Sequence, residues 1–226
     1  LVDAKTQKLV GFEALIRWQR DDGTVVLPGE FIPLAEETGL VIQIGQWVLE
    51  EACRQTQAWH NAGLPAISMA VNVSLHQFLL TDIAGCTRKA LQLSGLPAER
   101  LELEITESAL AERPEEALVV LRKLKEMGLR LAIDDFGTGY SSLAHLKRFP
   151  IDVLKIDQSF IRDIPNSADD MAISHAVIAM GQSMGMEVLA EGVETAAQLE
   201  FLRQHGCNSY QGYFCSKPVP AADFAM

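Results

Sequence analysis

The chain has 226 residues, of which 48% are hydrophobic and 22% charged, with a formal net charge of -11. That length can bury one substantial core, while the acidic balance and the lack of any Lys and Arg cluster exclude a basic nucleic-acid surface, so no DNA binding is expected. No apolar run reaches the roughly eighteen residues of a spanning helix and no signal-peptide pattern opens the sequence, so a soluble cytoplasmic domain is expected.

Two smaller features bear on context. The first residue is Leu1 and not Met, which points to a piece of a longer protein, with any membrane anchor in parts outside this sequence. Cys53, Cys86, Cys207 and Cys215 form no CxxC pair and read as reduced thiols.

In chain order, Val10–Trp18 (VGFEALIRW) reads as a strand with Glu13 in apolar company, ended by the turn Gln19–Gly23. Pro28-Gly29-Glu30 opens a short helix that Thr38-Gly39 stops. Val41–Asn61 carries apolar residues at helical spacing, including Ile44, Trp47, Val48, Ala52 and Trp59. Ile67–Val73 is the second strand, and a helix-rich stretch follows from Leu75 to Leu93. Leu101–Ile105 alternates as a third strand, and Glu115–Met127 is a helix closed by Gly128. Leu131–Ile133, too short and apolar for a surface helix, is a fourth, buried strand. A short helical stretch spans Ser141–Lys147, and Ile151–Ile156 is the fifth strand. Ser167–Met184 is a helix with a Ser cap, stopped by Gly185. Val188–Ala190 is a strand, Thr195–His205 a helix and Ser209–Phe214 the last strand.

Seven strands separated by helices imply a mostly parallel sheet with helices outside it. Over this length the expected fold is a single α/β domain, a modified TIM (β/α)8-type barrel. Its eighth strand is expected in a first segment missing before Leu1.

The fourth strand stops at Asp134-Asp135, followed by the small-residue loop Phe136-Gly137-Thr138-Gly139-Tyr140-Ser141-Ser142. Barrels keep their chemistry at the C-terminal ends of strands. Adjacent strand residues face opposite sides, but at a strand end the second can turn inward. By itself the pair reads equally well as a capped turn. Other strands end in the same way. Glu13 lies in the first strand, Asn72 near the end of the second, Glu104 near the end of the third with Glu107 just beyond. Lys155 and Asp157 mark the end of the fifth, Glu191 follows the sixth with Glu194 beyond it, and Gln211 sits on the last. In a closed sheet these side chains converge on one mouth. Oxygen donors without Cys or His suit hard cations such as Mg²⁺ or Mn²⁺. Crowded carboxylates would otherwise repel and take up protons. Two such ions about 3.5–4 Å apart are the usual clamp on a phosphodiester. The five histidines fall mainly in helical stretches and receive no role.

Along the chain the sequence resembles the EAL domain family, bacterial cyclic di-GMP phosphodiesterases. The resemblance runs through Glu13-Ala14-Leu15 with Arg17 and Trp18, then Asn72-Val73-Ser74 and Glu104-Ile105-Thr106-Glu107-Ser108. It continues through the Asp134–Ser142 loop, Leu154-Lys155-Ile156-Asp157, Glu191-Gly192-Val193-Glu194-Thr195 and Gln211-Gly212-Tyr213-Phe214. It covers essentially all of residues 1–226, one EAL domain expected to be truncated at both ends.

The resemblance implies that Glu13, Asn72, Glu104 and Asp134 bind one metal, with Asp134 bridging to a second completed by Asp135 and Glu191. It implies catalytic roles for Glu13, Lys155 and Glu191, substrate contacts from Leu15, Arg17, Asp157 and Gln211, and a loop tether at Glu107. The implied reaction is hydrolysis of cyclic di-GMP to linear pGpG with two Mg²⁺ or Mn²⁺ ions, in bacterial signalling and biofilm regulation. The implied partners are a second copy in a homodimer and an upstream sensor or GGDEF domain. Two alternatives stand beside this one: a receptor that binds cyclic di-GMP without cleaving it, and another Mg²⁺-dependent barrel enzyme of the enolase type.

Overall fold

The computed structural model describes residues 1–65, 67–139 and 143–224. The chain opens with β1 (Val2–Asp3) and β2 (Gly11–Ala14), then an antiparallel hairpin of β3 (Trp18–Gln19) and β4 (Val25–Val26). Helices and strands then alternate. First come α1 (Pro28–Glu37), α2 (Val41–Asn61), β5 (Ser68–Val73), α3 (Leu75–Leu80), α4 (Ile83–Ser94) and β6 (Leu101–Thr106). Next are α5 (Glu107–Glu112), α6 (Pro114–Glu126), β7 (Arg130–Phe136), α7 (Leu143–Leu146) and β8 (Val153–Ile156). The chain ends with α8 (Ala168–Ser183), β9 (Glu187–Ala190), α9 (Ala196–Gln204), β10 (Ser209–Tyr210) and α10 (Ala221–Phe224).

Eight strands form one sheet in the order β1-β10-β9-β8-β7-β6-β5-β2. Its neighbours run parallel except for β1, which is antiparallel to β10. The two edge strands meet. Val10 N–H donates to the Leu1 carbonyl at 2.9 Å, the Leu1 amino group donates to the Gly11 carbonyl at 2.8 Å, and Val2 bridges Leu9. Sharing these edge groups leaves a nearly closed barrel with little free strand edge.

Successive residues divide the two faces of that sheet. Leu131, Ile133, Leu154, Ile156, Val188 and Ala190 belong to the main core between sheet and helices. Alternating with them, Ala132, Val153 and Leu189 form a separate small cluster with Leu1, inside the barrel. The other inward positions are largely charged. At the base, where the strands begin, Arg130 pairs with Glu102 at 3.1 Å and with Glu187 at 2.8 Å. At the opposite mouth lies a second charged layer.

The architecture is the expected one, and the differences are local. The eighth strand is supplied by the chain itself as β1, too short to show any periodicity. The predicted Val10–Trp18 strand breaks after Ala14, and Trp18 turns into the hairpin to meet Phe31 edge-on at 6.0 Å. The last strand ends at Tyr210 and not at Phe214, because the chain there turns over Val193, whose carbonyl accepts from Phe214 N–H at 2.9 Å. Helix α5 stands where no element was expected, its N-terminus capped by the Thr106 side chain. Of the helical stretch expected from Ser141, Leu143–Leu146 is helical, while Tyr140, Ser141 and Ser142 lie outside the described residues. The four cysteines are unpaired, and burial pushes the Cys53 and Cys207 thiols up to about 12. Among the described residues no helix is long and apolar enough to cross a membrane.

Candidate active site

The site begins with a defect in β7. Between Ile133 and Phe136 the pairing with β8 shifts register, and Asp135 takes a left-handed φ of +53°. A bulge interrupts strict alternation and re-aims a side chain, and Asp is among the residues that tolerate that region best. As a result, ligand oxygens of Asp134, Asp135 and Glu191 all lie within 4.8 Å of one another. The expected inward turn of the second Asp therefore has a backbone cause.

Lys155, on β8, is fully buried beside this group. Its Nζ lies 2.7 Å from Glu104 Oε2, 2.7 Å from Glu191 Oε1, 3.1 Å from Asp134 Oδ1 and 3.9 Å from Glu13 Oε2. Glu104 and Glu191 thus each place one oxygen at charge-assisted hydrogen-bonding distance from the ammonium. Burial works to lower the Lys155 pKa, but Glu104, Glu13, Glu191 and Asp134 together outweigh it and hold it well above its ordinary value. Lys155 is a fixed ammonium.

The acids respond in the opposite sense. Burial, opposed by Lys155 and reinforced by Glu13 and Asp134, raises Glu104 well above the usual carboxylate range. Burial also pushes Glu191 up to about 7. Asp135 is raised by burial, then by Asp134 and by Asp157 beside it. Excess negative charge is thus shared among one lysine and protons.

Two amides fix Glu13. Asn72 Nδ2 donates to its Oε1 at 2.7 Å, and Gln211 Nε2 donates to its Oε2 at 2.7 Å and to Glu191 Oε1 at 2.8 Å. Glu107, buried at the start of α5, accepts from Gly137 N–H at 2.9 Å and Gly139 N–H at 3.3 Å. Asp157 Oδ1 accepts from Ser159 N–H at 3.0 Å and caps the turn after β8.

The structure therefore gathers Glu13, Asn72, Glu104, Asp134, Asp135, Lys155, Glu191 and Gln211, with Asp157 at the edge and Glu107 behind the loop. Leu15 and Arg17 stand apart from this network. Leu15 is 44% exposed, and Arg17 turns its guanidinium to the neighbouring Ile16 carbonyl at 2.8 Å. Two supporting residues went unread in the sequence. The Phe160 ring lies where any side chain on Gly137 would have to go, 2.9 Å from its Cβ position, and Gln198 bridges two loops. Phe160 carries no sequence signal of its own; Gln198 shows only as the fourth residue of a capping box with Thr195.

Carboxylate and amide oxygens from β2, β5, β6, β7 and the segment after β9 make an all-oxygen donor set. Glu104 adds two buried oxygens, one of them against the Lys155 ammonium. This fits a hard divalent cation.

An α/β barrel with such a carboxylate-lined mouth defines a class of domain suited to hard-metal chemistry, and comparison with known proteins narrows it. The EAL domain family model matches residues 1–218. The chain belongs to the EAL domain family. It is 46% identical over 213 residues to the bifunctional diguanylate cyclase/cyclic di-GMP phosphodiesterase MucR of Pseudomonas aeruginosa, covering 94% of this chain and 31% of that protein. It is 40% identical over 212 residues to the cyclic di-GMP phosphodiesterase PdeR of Escherichia coli, covering 94% of this chain and 32% of that protein. Among solved structures, PaMucR phosphodiesterase in complex with c-di-GMP superposes with a TM-score of 0.95 at 45% identity, over 99% of this chain and 90% of that one. The chain spans about a third of the length of these curated relatives.

Proposed function

We propose that this domain is an active phosphodiesterase that hydrolyses cyclic di-GMP to linear pGpG at a two-metal carboxylate site, lowering the messenger in bacterial signalling. The observation that carries the reading is the oxygen triad of Asp134, Asp135 and Glu191 within 4.8 Å, next to the buried carboxylate of Glu104. Family membership and relatives named as cyclic di-GMP phosphodiesterases support the substrate class.

In this reading Glu13, Asn72, Glu104 and Asp134 hold one Mg²⁺ or Mn²⁺, and Asp134 with Asp135 and Glu191 holds the other. Ions held there would supply charge to neutralise the phosphate, to lower the pKa of an attacking water and to stabilise the leaving 3′ oxygen. Lys155, whose Nζ lies among Glu104, Glu191 and Asp134, is placed to donate to the attacking water and orient it. Gln211, shared between Glu13 and Glu191, sets the spacing of the two carboxylates. Glu107 holds Gly137 and Gly139 and thereby the loop that carries Asp135 to the mouth. Arg17 is free at its other guanidinium nitrogens to take a phosphate, a geometry for which a planar fork is suited, with Leu15 and Asp157 lining the nucleotide. The full-length protein is proposed to work as a homodimer behind a sensor or GGDEF domain; the bifunctional name of MucR supports a companion cyclase domain.

The test is a product assay. Purified domain with Mg²⁺ or Mn²⁺ converts cyclic di-GMP to pGpG, and EDTA stops it. Nucleotide binding without turnover under either metal would make the domain a receptor instead.

A further inference from the structure

Glu191 reaches the mouth from outside regular structure, on the segment between β9 and α9. Its oxygens must still be placed accurately against Asp134 and Lys155 on neighbouring strands. The structure contains a device for this, centred on Gln198 of α9, which is 3% exposed. Its Oε1 accepts from Glu194 N–H at 2.7 Å and Thr195 N–H at 2.9 Å. Its Nε2 donates to the Ile161 carbonyl at 3.0 Å and the Arg162 carbonyl at 3.1 Å. All four hydrogen-bonding positions of the amide are thus used on backbone, half on the Glu191 loop and half on the turn following Lys155 and Asp157.

Capping explains only half of this pattern. A capping box needs a side-chain oxygen at its last position, and Glu serves there as well as Gln. The amide nitrogen of Gln198 is surplus to the cap and is spent across the loops. The same turn touches both sides of the site. A Cβ on Gly192 would sit 2.6 Å from Gln158 Cβ, and the Phe160 ring closes on Gly137. Ser174 Oγ, fully buried, fastens the turn from below by donating to the Phe160 carbonyl at 3.1 Å. The Gln158–Arg162 turn is wedged between the Asp135 loop and the Glu191 loop.

We infer that Gln198 is a positioning residue of the metal-binding mouth, whose amide nitrogen locks the Glu191 loop to the turn after β8 and so fixes Glu191 against Lys155 and Asp134. The inference rests on the phosphodiesterase reading for its kinetic consequence, but not for its consequence on metal binding. Gln198→Glu retains the cap and breaks the tie, since it sets an acceptor oxygen against the Ile161 and Arg162 carbonyls in place of the donors that cross the loops. Lys125→Met is the control: it removes an ion pair to Asp152, 2.7 Å long and at the far end of β8, without touching the mouth.

The experiment measures Mn²⁺ affinity by calorimetry, then kcat and KM for cyclic di-GMP at saturating Mn²⁺, in parent and both variants. In Gln198→Glu, half-saturating Mn²⁺ rises and kcat falls, each by at least about fivefold, the factor matching one hydrogen bond of ordinary strength. KM changes less than kcat, and Lys125→Met loses melting temperature while keeping metal affinity and kcat. A change below that factor in either quantity for Gln198→Glu overturns the inference, as do equal losses in Lys125→Met. If Gln198→Glu does not fold, Gln198→Asn, which keeps the amide but withdraws it by one methylene, is measured against the same thresholds. A parent domain that binds Mn²⁺ yet leaves cyclic di-GMP intact would refute the proposed function alone, and the shift in metal affinity would still decide the role of Gln198.

Discussion

Replacing Lys155 by Met keeps most of the side-chain volume and removes the single cation that the described residues place in the carboxylate layer. Glu104 and Glu191 approach its Nζ to 2.7 Å and Asp134 to 3.1 Å. With an effective dielectric of about 20, a fully charged 2.7 Å pair would be worth roughly 6 kcal/mol before desolvation, and the raised pKa values of Glu104 and Glu191 reduce that charge. The acids abandoned in the variant respond by binding protons, so the net cost falls to about 3–5 kcal/mol, the usual result of breaking a buried pair from one side. For a domain of this size each kcal/mol moves the melting temperature by about 2–4 °C. In EDTA, Lys155→Met should therefore melt roughly 6–20 °C below the parent. Millimolar Mn²⁺ changes the comparison, because cations on Glu104, Asp134 and Glu191 supply the positive charge that the variant lacks. The gap should then close by about half or more. Differential scanning calorimetry of both proteins under both conditions is the assay. Equal gaps with chelator and with metal would refute the reasoning, since lysine and metal would then not be sharing the same oxygens.

Other substitutions probe separate parts of the molecule. Glu13→Ala removes the acceptor of Asn72 and Gln211; hydrolysis should disappear while far-UV circular dichroism is unchanged, and full activity would sink its assignment as a ligand. Lys155→Ala should cost more in kcat than in nucleotide affinity measured by calorimetry, and equal losses would recast it as a binding residue. Glu107→Ala frees the Gly137 and Gly139 amides; kcat should fall about tenfold, as expected for losing more than one hydrogen bond to a charged acceptor, and an unchanged rate would count against the tether. Arg130→Met leaves Glu102 buried at the barrel base without its partner; chemical denaturation should show a loss of about 1–3 kcal/mol, with kcat unaltered.

The barrel was legible because its strands are short apolar runs that end in acids, and because turn glycines and caps divide the helices cleanly. Val41–Asn61 is helical over the residues its periodicity indicates. Asp134, Glu104 and Lys155 were readable as a set because each falls at the C-terminal end of a different strand, and a parallel barrel leaves such positions only one place to meet. What sequence could not show was contact at a distance along the chain. The bulge that turns Asp135 is a register shift against β8, and nothing in Asp134-Asp135 itself marks it. The tie from Gln198 to Ile161 and Arg162 spans more than thirty residues, so only its local half, the cap on α9, has a sequence pattern. β1 escaped for a different reason, since its pairing with β10 joins opposite ends of the chain. Arg17 shows the limit from the other side: its motif is distinctive, yet its side chain rests on its own backbone.

Gly212 illustrates how such a site can mislead a substitution scan. It has no functional group, but any Cβ there would fall on the backbone nitrogen and carbonyl oxygen of Val193, with the carbonyl carbon only 2.8 Å away. The strand Ser209–Tyr210 ends just before it, and Gln211, the amide between Glu13 and Glu191, immediately precedes it. A side chain introduced at Gly212 would force Val193 or Gln211 to shift, and a displaced Gln211 would leave both acids and lower activity as the loss of a reacting group would. Tolerance profiles of this domain will thus rank a silent backbone position among its chemical ones. Only a measurement that separates metal affinity from the bond-breaking step will tell the two apart.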